Sequence, residues 1–194
     1  MNRLVSFTQM KSGTREDYLL LDQSEREFAL QLPDRVLQAL RDLDHSVDGY
    51  PVTRLEHSLQ SATRARRDGA DDEVVLAALI HDMGDLLAPY NHAAMAAAVI
   101  RPYVREEVHW IVEQHGLFQT YYYVHHLGGN RDMREQMRGS RWYDSCAYFC
   151  EHYDQSSFDP KYHSLPLDEF APLVRDIFSR PPHDPRYTAA VSTW

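Results

Sequence analysis

A series of four histidines and two aspartates constrains the fold of this chain more than any other feature. They are His57, the adjacent pair His81 and Asp82, His92, His115 and Asp154. Imidazole nitrogens and carboxylate oxygens, with no cysteine among them, suit redox-active or hard first-row metals better than a structural zinc. Consecutive helical residues diverge by about 100°, so His81 and Asp82 can serve one site only if a second metal lies beside the first and Asp82 bridges them. The pair predicts a dinuclear centre.

The spacing of these residues predicts two helical hairpins that converge on one point. His57 and His81 are 24 residues apart and His92 and His115 are 23 apart, which in each case allows one helix and a return. The chain has 11 histidines, and a lone histidine is usually an ordinary core or surface residue, so the candidates are judged as a set. A later helix would supply the last ligand, for which the candidates are Asp154 and Asp144.

Helical periodicity runs through almost the whole chain, and no alternating pattern is long enough for a sheet. We expect a single all-α domain: a helical extension over 1–50, a metal-binding core over 51–160, and a C-terminal helix and tail over 161–194. Thr14 is a predicted helix N-cap with Asp17 three residues on. The helix carrying His81 and Asp82 is expected to run from about Asp71 to Gly84.

Three later helices are also predicted from the pattern. REEVHWIVEQH would end near His115, a further helix would cover 141–154, and LDEFAPLVRDIF would form the last.

Composition excludes several classes of partner. The net charge is −9, so nonspecific binding to nucleic acid or anionic membrane is not expected, and a small-molecule substrate fits better. The apolar run from Val74 to Ile80 is too short to cross a bilayer, and the N-terminus does not have the pattern of a signal peptide, which predicts a cytoplasmic protein. Cys146 and Cys150 are expected to be reduced core thiols.

The ordered series of ligands resembles the HD-domain superfamily of metal-dependent phosphohydrolases and oxygenases, over about 54–158. The resemblance implies that one metal binds the residues His57, His81, Asp82 and Asp154. It implies that the other metal binds Asp82, His92 and His115.

The superfamily leaves two reaction classes open. A hydrolase would use the metals to activate water and polarise a phosphoryl oxygen, whereas an oxygenase requires iron. Hydrolytic members often carry a basic residue just after the HD pair, but this chain has Asp85, which would repel phosphate and attract a cation. In the alternative interpretation Asp85 only caps a loop or pairs with an arginine. A metal-stabilised binding module without turnover is disfavoured by the complete ligand set.

The pattern LEHSLQSATRARRDGA followed by AALIHDMGD resembles the small mixed-valent diiron oxygenases of organophosphonate catabolism, and more distantly myo-inositol oxygenase. That resemblance implies an Fe(II)/Fe(III) pair, O2 as co-substrate, and cleavage of a 1-hydroxyphosphonate to a carboxylate and phosphate. Tyr50 and Asp85 stand where members acting on a primary amine have Glu and His. An aromatic ring in place of a carboxylate favours a trimethylammonium group, which has no N–H to donate. The alternative remains a phosphohydrolase of a nucleotide or small phosphate ester.

The stretch from Gln119 to Arg138 is the other candidate for substrate binding. The candidates there are Gln119, His125, His126, Arg131 and Arg138. Guanidinium groups match the oxygens of a phosphonate, so the basic side chains are candidates for capturing it. In the alternative interpretation they form a solvated face that balances Asp132 and Glu135.

Overall fold

The computed structural model describes residues 4–182, and the regular structure within that range is entirely helical. The α-helices are α1 (Arg15–Ala29), α2 (Leu32–Asp42), α3 (Arg54–Arg67), α4 (Asp72–Ile80), α5 (His92–Ile100), α6 (Glu106–Tyr123), α7 (Tyr143–Phe149) and α8 (Leu167–Phe178). The all-α prediction is confirmed for this part of the chain. No helix within it is both long and apolar enough to span a membrane. The tail predicted after α8 lies outside the described residues from residue 183 onward.

Two helical hairpins form the centre of the molecule, as the histidine spacing predicts. Helix α3 packs along α4, helix α5 packs along α6, and α6 also packs against α4. Helix α4 is buried from Val75 to Ile80, since it is apolar on all sides. The apolar side of α2 is buried, and α2 packs on α8, so the N-terminal region rests on the core.

The N-terminal helix begins as predicted. The Thr14 hydroxyl accepts a hydrogen bond from the Asp17 backbone N–H, and the Asp17 carboxylate accepts one from the Thr14 backbone N–H. This capping box satisfies two amide groups that the first turn of α1 would otherwise leave unpaired.

Helix α4 ends four residues earlier than predicted. The last helical residue is Ile80, and His81 and Asp82 begin a succession of tight turns held by bonds such as Met83 N–H to Ile80 O (2.9 Å). Glycine at position 84 allows another part of the chain to approach this turn closely, because a Cβ there would lie 2.5 Å from the backbone oxygen of His92. The start of α5 therefore passes directly over this turn.

Two further boundaries differ from the prediction. Helix α6 does not end near His115 but continues to Tyr123: Gly116 weakens a helix by only about 1 kcal/mol, and Phe118 just beyond it is fully buried. The helix predicted over 141–154 is a short α-helix, α7, followed by a π-helical turn, Cys150–Asp154. Cys146 and Cys150 are buried free thiols, as predicted.

Candidate metal centre

The first group of candidate ligands comes from α3, from the turn after α4 and from the π-helical turn. The Nε2 atoms of His57 and His81 lie 3.1 Å apart. They are 3.2 and 3.1 Å from Oδ2 of Asp82. Oδ1 of Asp154 completes the group at 3.3 Å from His57 Nε2 and 3.6 Å from His81 Nε2.

The second group uses the other oxygen of Asp82. The Nε2 atoms of His92 and His115 lie 3.3 Å apart, and each is 3.3 Å from Oδ1 of Asp82. His92 is the first residue of α5, and His115 lies within α6. The two oxygens of one carboxylate thus face two different histidine pairs, which is the arrangement that a bridging ligand requires.

Hydrogen bonds to the remaining ring nitrogens orient three of the imidazoles. Nδ1 of His57 lies 2.9 Å from the carbonyl oxygen of Ser157. Nδ1 of His81 and of His115 each bond the carbonyl oxygen three residues earlier, at 3.0 and 2.7 Å. With the Nδ1 proton held in this way, Nε2 of each ring is the nitrogen that would donate its lone pair to a metal at the centre of the cluster.

The donor set fits two metal ions. Two nitrogens about 2.1 Å from a shared ion and at right angles to each other are about 3 Å apart, close to the observed Nε2 separations. Oδ2 of Asp154 is buried and has no hydrogen-bond partner among the described residues. A buried carboxylate oxygen without a partner is costly unless a cation compensates it. The cluster is therefore able to hold metal, and its nitrogen and oxygen donors suit iron.

The charges of the cluster also fit the binding of metal ions. Burial acts to lower the pKa of His81, but Asp82 and Asp154 outweigh it and raise that pKa to about 10. Burial would raise the pKa of Asp82, but His81 and Arg54 hold it well below its ordinary value. Ionised carboxylates here are balanced by protonated histidine, and metal ions would replace those protons.

A cavity of about 520 Å³ opens over the cluster. Its wall includes Asp82, His92, His115 and Asp154 from the cluster, together with Tyr50, Arg54, Gly116, Gln119, Tyr122, Tyr123, Gln155 and Phe158. Tyr50 and Gln119 were predicted to contact substrate, and both lie on this wall. The ring of Phe158 stacks on His57 at 4.4 Å and on Tyr50 at 5.2 Å between centroids, so Tyr50 is coupled to the cluster through one aromatic ring.

Residues 8–106, just over half of the chain, match the family model of myo-inositol oxygenase. The chain belongs to the myo-inositol oxygenase family. The matched segment contains His57, His81, Asp82 and His92, whereas His115 and Asp154 lie beyond it.

One curated relative adds a second comparison. The [1-hydroxy-2-(trimethylamino)ethyl]phosphonate dioxygenase (glycine-betaine-forming) of Leisingera caerulea is 38% identical over 52 residues, which are 27% of this chain and 26% of that protein. The match therefore spans about a quarter of the relative's length.

In this member of the myo-inositol oxygenase family, the two candidates for the last ligand lie in different surroundings. Asp154 is buried in the π-helical turn and lies among the other candidates. Asp144 is exposed on α7. The π-helical turn, closed by a bond from Gln155 N–H to Cys150 O (3.0 Å), sets the direction in which Asp154 points.

Asp85, which the sequence predicts to contact substrate, lies beside the cluster next to Asp82 and His92. It is not among the residues of the cavity wall; its Oδ2 accepts a hydrogen bond from Arg54 Nε at 2.7 Å, and its Oδ1 lies 3.4 Å from His92 Nδ1. The alternative interpretation, pairing with an arginine, describes its position. A carboxylate neutralised by a guanidinium supplies little free negative field to a substrate cation.

Arg54, which the sequence did not single out, lies beside the cluster and on the cavity wall. Its side chain is only 11% exposed, and Nη2 lies 2.6 Å from Oδ2 of Asp82. The signal was present, since Arg54 precedes His57 by one helical turn and so shares its face of α3.

The predicted basic group also lies away from the cavity wall. His125 and His126 are exposed and stack on each other at 4.1 Å, while the Arg131 guanidinium lies 4.1 Å above the ring of Tyr121. Arg138 forms a 2.5 Å ion pair with Glu135. Among the described residues, these four are not part of the cavity wall. Because α6 continues to Tyr123, the residues that follow it begin beyond the cavity. The alternative interpretation, a solvated basic face, describes the positions of Arg131 and Arg138.

Proposed function

We propose that this chain is an O2-dependent diiron oxygenase that cleaves the carbon–phosphorus bond of a 1-hydroxyphosphonate. The observation that carries the proposal is the division of Asp82 between two histidine pairs, in a chain of the myo-inositol oxygenase family. The proposed substrate is (R)-1-hydroxy-2-(trimethylammonio)ethylphosphonate, and the products are glycine betaine and phosphate. One oxygen atom of O2 would enter the carboxylate and the other the phosphate, so no external reductant is consumed.

The cavity wall supports the trimethylammonium group. Four aromatic side chains line it: Tyr50, Tyr122, Tyr123 and Phe158. A quaternary ammonium binds aromatic faces and needs no hydrogen-bond acceptor, in contrast to a primary amine. In this proposal the aromatic side chains, rather than the negative charge of Asp85, bind the cation, because Asp85 is already paired with Arg54.

The phosphonate has few candidate partners in the protein itself. Arg54 is the one lysine or arginine among the wall residues that the structure describes, and two carboxylates already pair with it. Two bound irons would supply both the cationic sites for substrate oxygens and the one-electron steps that O2 chemistry needs.

The chain's own residues would hold and shield that centre. His57, His81, Asp82 and Asp154 would hold one iron, and Asp82, His92 and His115 the other. The close burial of the cluster limits water to the side that faces the cavity.

The test is phosphate release from the racemic trimethylammonio hydroxyphosphonate by iron-loaded protein in air, with an anaerobic control. We expect phosphate and glycine betaine in equal amounts, with one O2 consumed per turnover. Without O2, neither product should form. Release of phosphate from nucleotides or phosphate esters with manganese or cobalt, in the absence of O2, would instead establish the hydrolase alternative. O2 consumption with myo-inositol but not with the hydroxyphosphonate would instead indicate that the substrate is a neutral cyclitol.

A further inference from the structure

One face of α6 leads from the metal cluster to Tyr122. Three wall residues of this helix, His115, Gln119 and Tyr122, are spaced by four and three positions, so they share one helix face. Two helical turns separate the backbone positions of His115 and Tyr122 by about 10 Å along the axis. That separation suits a small ligand whose reacting end lies at the metals and whose other end reaches the ring of Tyr122.

A carboxylate outside the cavity holds the hydroxyl group of Tyr122. The phenol O–H donates a hydrogen bond of 2.6 Å to Oε2 of Glu151, which follows Cys150 in the π-helical turn. Tyr122 is half-buried on the cavity wall, whereas Glu151 is exposed and is not among the wall residues that the structure describes. Burial and the Glu151 carboxylate both raise the pKa of Tyr122, and Arg134 lowers it by less. The phenol therefore remains a protonated donor to Glu151 at neutral pH.

This bond distinguishes Tyr122 from the other aromatic side chains of the cavity wall. In the described part of the chain, it is the one wall tyrosine whose hydroxyl bonds a carboxylate. The ring of Phe158 stacks on both His57 and Tyr50, which leaves less of its surface for a ligand. A hydrogen bond from a phenol to a carboxylate shifts electron density toward the ring, and the negative face of an aromatic ring is what attracts a cation.

We propose that Glu151 is a positioning residue for the cationic end of the substrate and that it acts through Tyr122. Its carboxylate fixes the phenol at the cavity wall and increases the attraction of the ring for a trimethylammonium group. Glu151 therefore raises the preference of the site for a quaternary ammonium over an uncharged group of the same shape. This inference rests on the proposed function, because it requires a substrate with a phosphonate at one end and a quaternary ammonium at the other.

The experiment measures the binding of two phosphonates that lack the reacting hydroxyl group. One is 2-(trimethylammonio)ethylphosphonate; the other is 3,3-dimethylbutylphosphonate, in which carbon replaces nitrogen, so that the shape is kept and the charge is lost. Calorimetric titration of iron-loaded protein without O2 gives a Kd for each, and the ratio of the two Kd values is the preference for the cation. We expect wild type to prefer the cation by about tenfold or more. Glu151→Gln should reduce that preference by about three- to tenfold and leave the Kd of the neutral phosphonate unchanged.

A double-mutant cycle separates an effect through Tyr122 from the loss of a nearby charge. Tyr122→Phe keeps the ring and removes the hydroxyl, and it should lower the preference about as much as Glu151→Gln does. Once the hydroxyl is gone, Glu151→Gln should have no further effect. An equal loss in both backgrounds would show that the carboxylate acts through space, and it would overturn the inference. Glu113→Gln, which removes another exposed carboxylate next to the cavity-lining helix face, should keep the wild-type preference.

Three other results would count against the inference in different ways. An unchanged preference in Glu151→Gln, with wild type favouring the cation, overturns the role of Glu151 and leaves the proposed function standing. Equal binding of the two phosphonates by wild type overturns the inference together with the choice of a trimethylammonium substrate. Binding of neither phosphonate overturns both the inference and the proposed phosphonate substrate.

Discussion

At the scale of single residues, Asp82 determines whether the site holds one metal or two. It is the one cluster residue whose two oxygens face different histidine pairs. Asp82→Ala should therefore lose both metals or keep at most one weakly, while His92→Ala should chiefly empty the second position. Elemental analysis of the purified variants measures this. Two irons retained in Asp82→Ala would contradict the dinuclear assignment.

Tyr50 provides a test of substrate choice that does not involve the metals. Its ring lines the cavity and stacks on Phe158. Tyr50→Glu removes an aromatic contact worth about 0.5–2 kcal/mol to a quaternary ammonium and adds an acceptor for N–H groups. The ratio of kcat/KM for the primary-amine substrate over the trimethylammonium substrate should rise by about tenfold or more. Tyr50→Phe keeps the ring and should keep the wild-type ratio; equal ratios in all three proteins would rule out Tyr50 as a determinant.

The sequence predicted the members of the cluster better than it predicted their surroundings. Spacing was sufficient to bring His57 and His81 together as candidates, since a ligand set must converge, whereas the preference for Asp154 over Asp144 came from the family resemblance. The position of Arg54 one helical turn before His57 indicates a shared helix face, but not its bonds to Asp82 and Asp85, which lie far along the chain. Nothing in the local sequence marks Phe158, which stacks on His57 from 101 positions later. The arginine that pairs with Asp85 could not be named from the sequence for the same reason, because Arg54 lies 31 positions earlier.

At the scale of elements, the ends of helices position the site more than their middles do. The hairpins α3/α4 and α5/α6 followed from the periodicity, but the turn after Ile80 did not, because it depends on contact with the start of α5. The π-helical turn that carries Asp154 could not be predicted either, since no residue in the sequence distinguishes a single widened turn from an ordinary α-helical turn. The continuation of α6 past His115 took the basic stretch away from the cavity.

Gly84 gives the element scale its own prediction. An added Cβ would meet backbone atoms of His92 at 2.5 and 2.7 Å, and backbone cannot move aside as a flexible side chain can. Gly84→Ala should destabilise the protein by about 1–3 kcal/mol and reduce occupancy of the metal position that uses His92. Thermal denaturation and metal analysis measure the two effects. Gly139→Ala is the control, as a Cβ there has no neighbour within 4 Å; equal stability of the two variants would contradict the close approach.

At the scale of the whole molecule, the candidate ligands tie together parts of the chain that are otherwise separate. They come from α3, the turn after α4, both helices of the second hairpin and the π-helical turn. Bound metals would cross-link all of these. Within the described residues the cluster holds two buried aspartates, Asp82 and Asp154, near buried histidines, and Oδ2 of Asp154 has no hydrogen-bond partner. Metal should thus act as a ligand of the folded state alone.

Removal of metal should consequently lower the stability of the entire fold. A ligand present at 100 times its Kd stabilises the native state by about 2.7 kcal/mol, which shifts the midpoint by roughly 5 to 10 °C for each bound ion in a domain of this size. Calorimetry of metal-loaded protein with and without a chelator measures the shift, and returning iron or cobalt should restore it. Asp82→Ala serves as the matched control, because a protein that cannot hold both ions should show little response to the chelator. An identical midpoint for loaded and chelated wild type would mean that the cluster is a buried polar network rather than a metal centre, and the proposed oxygenase chemistry would have no place to occur.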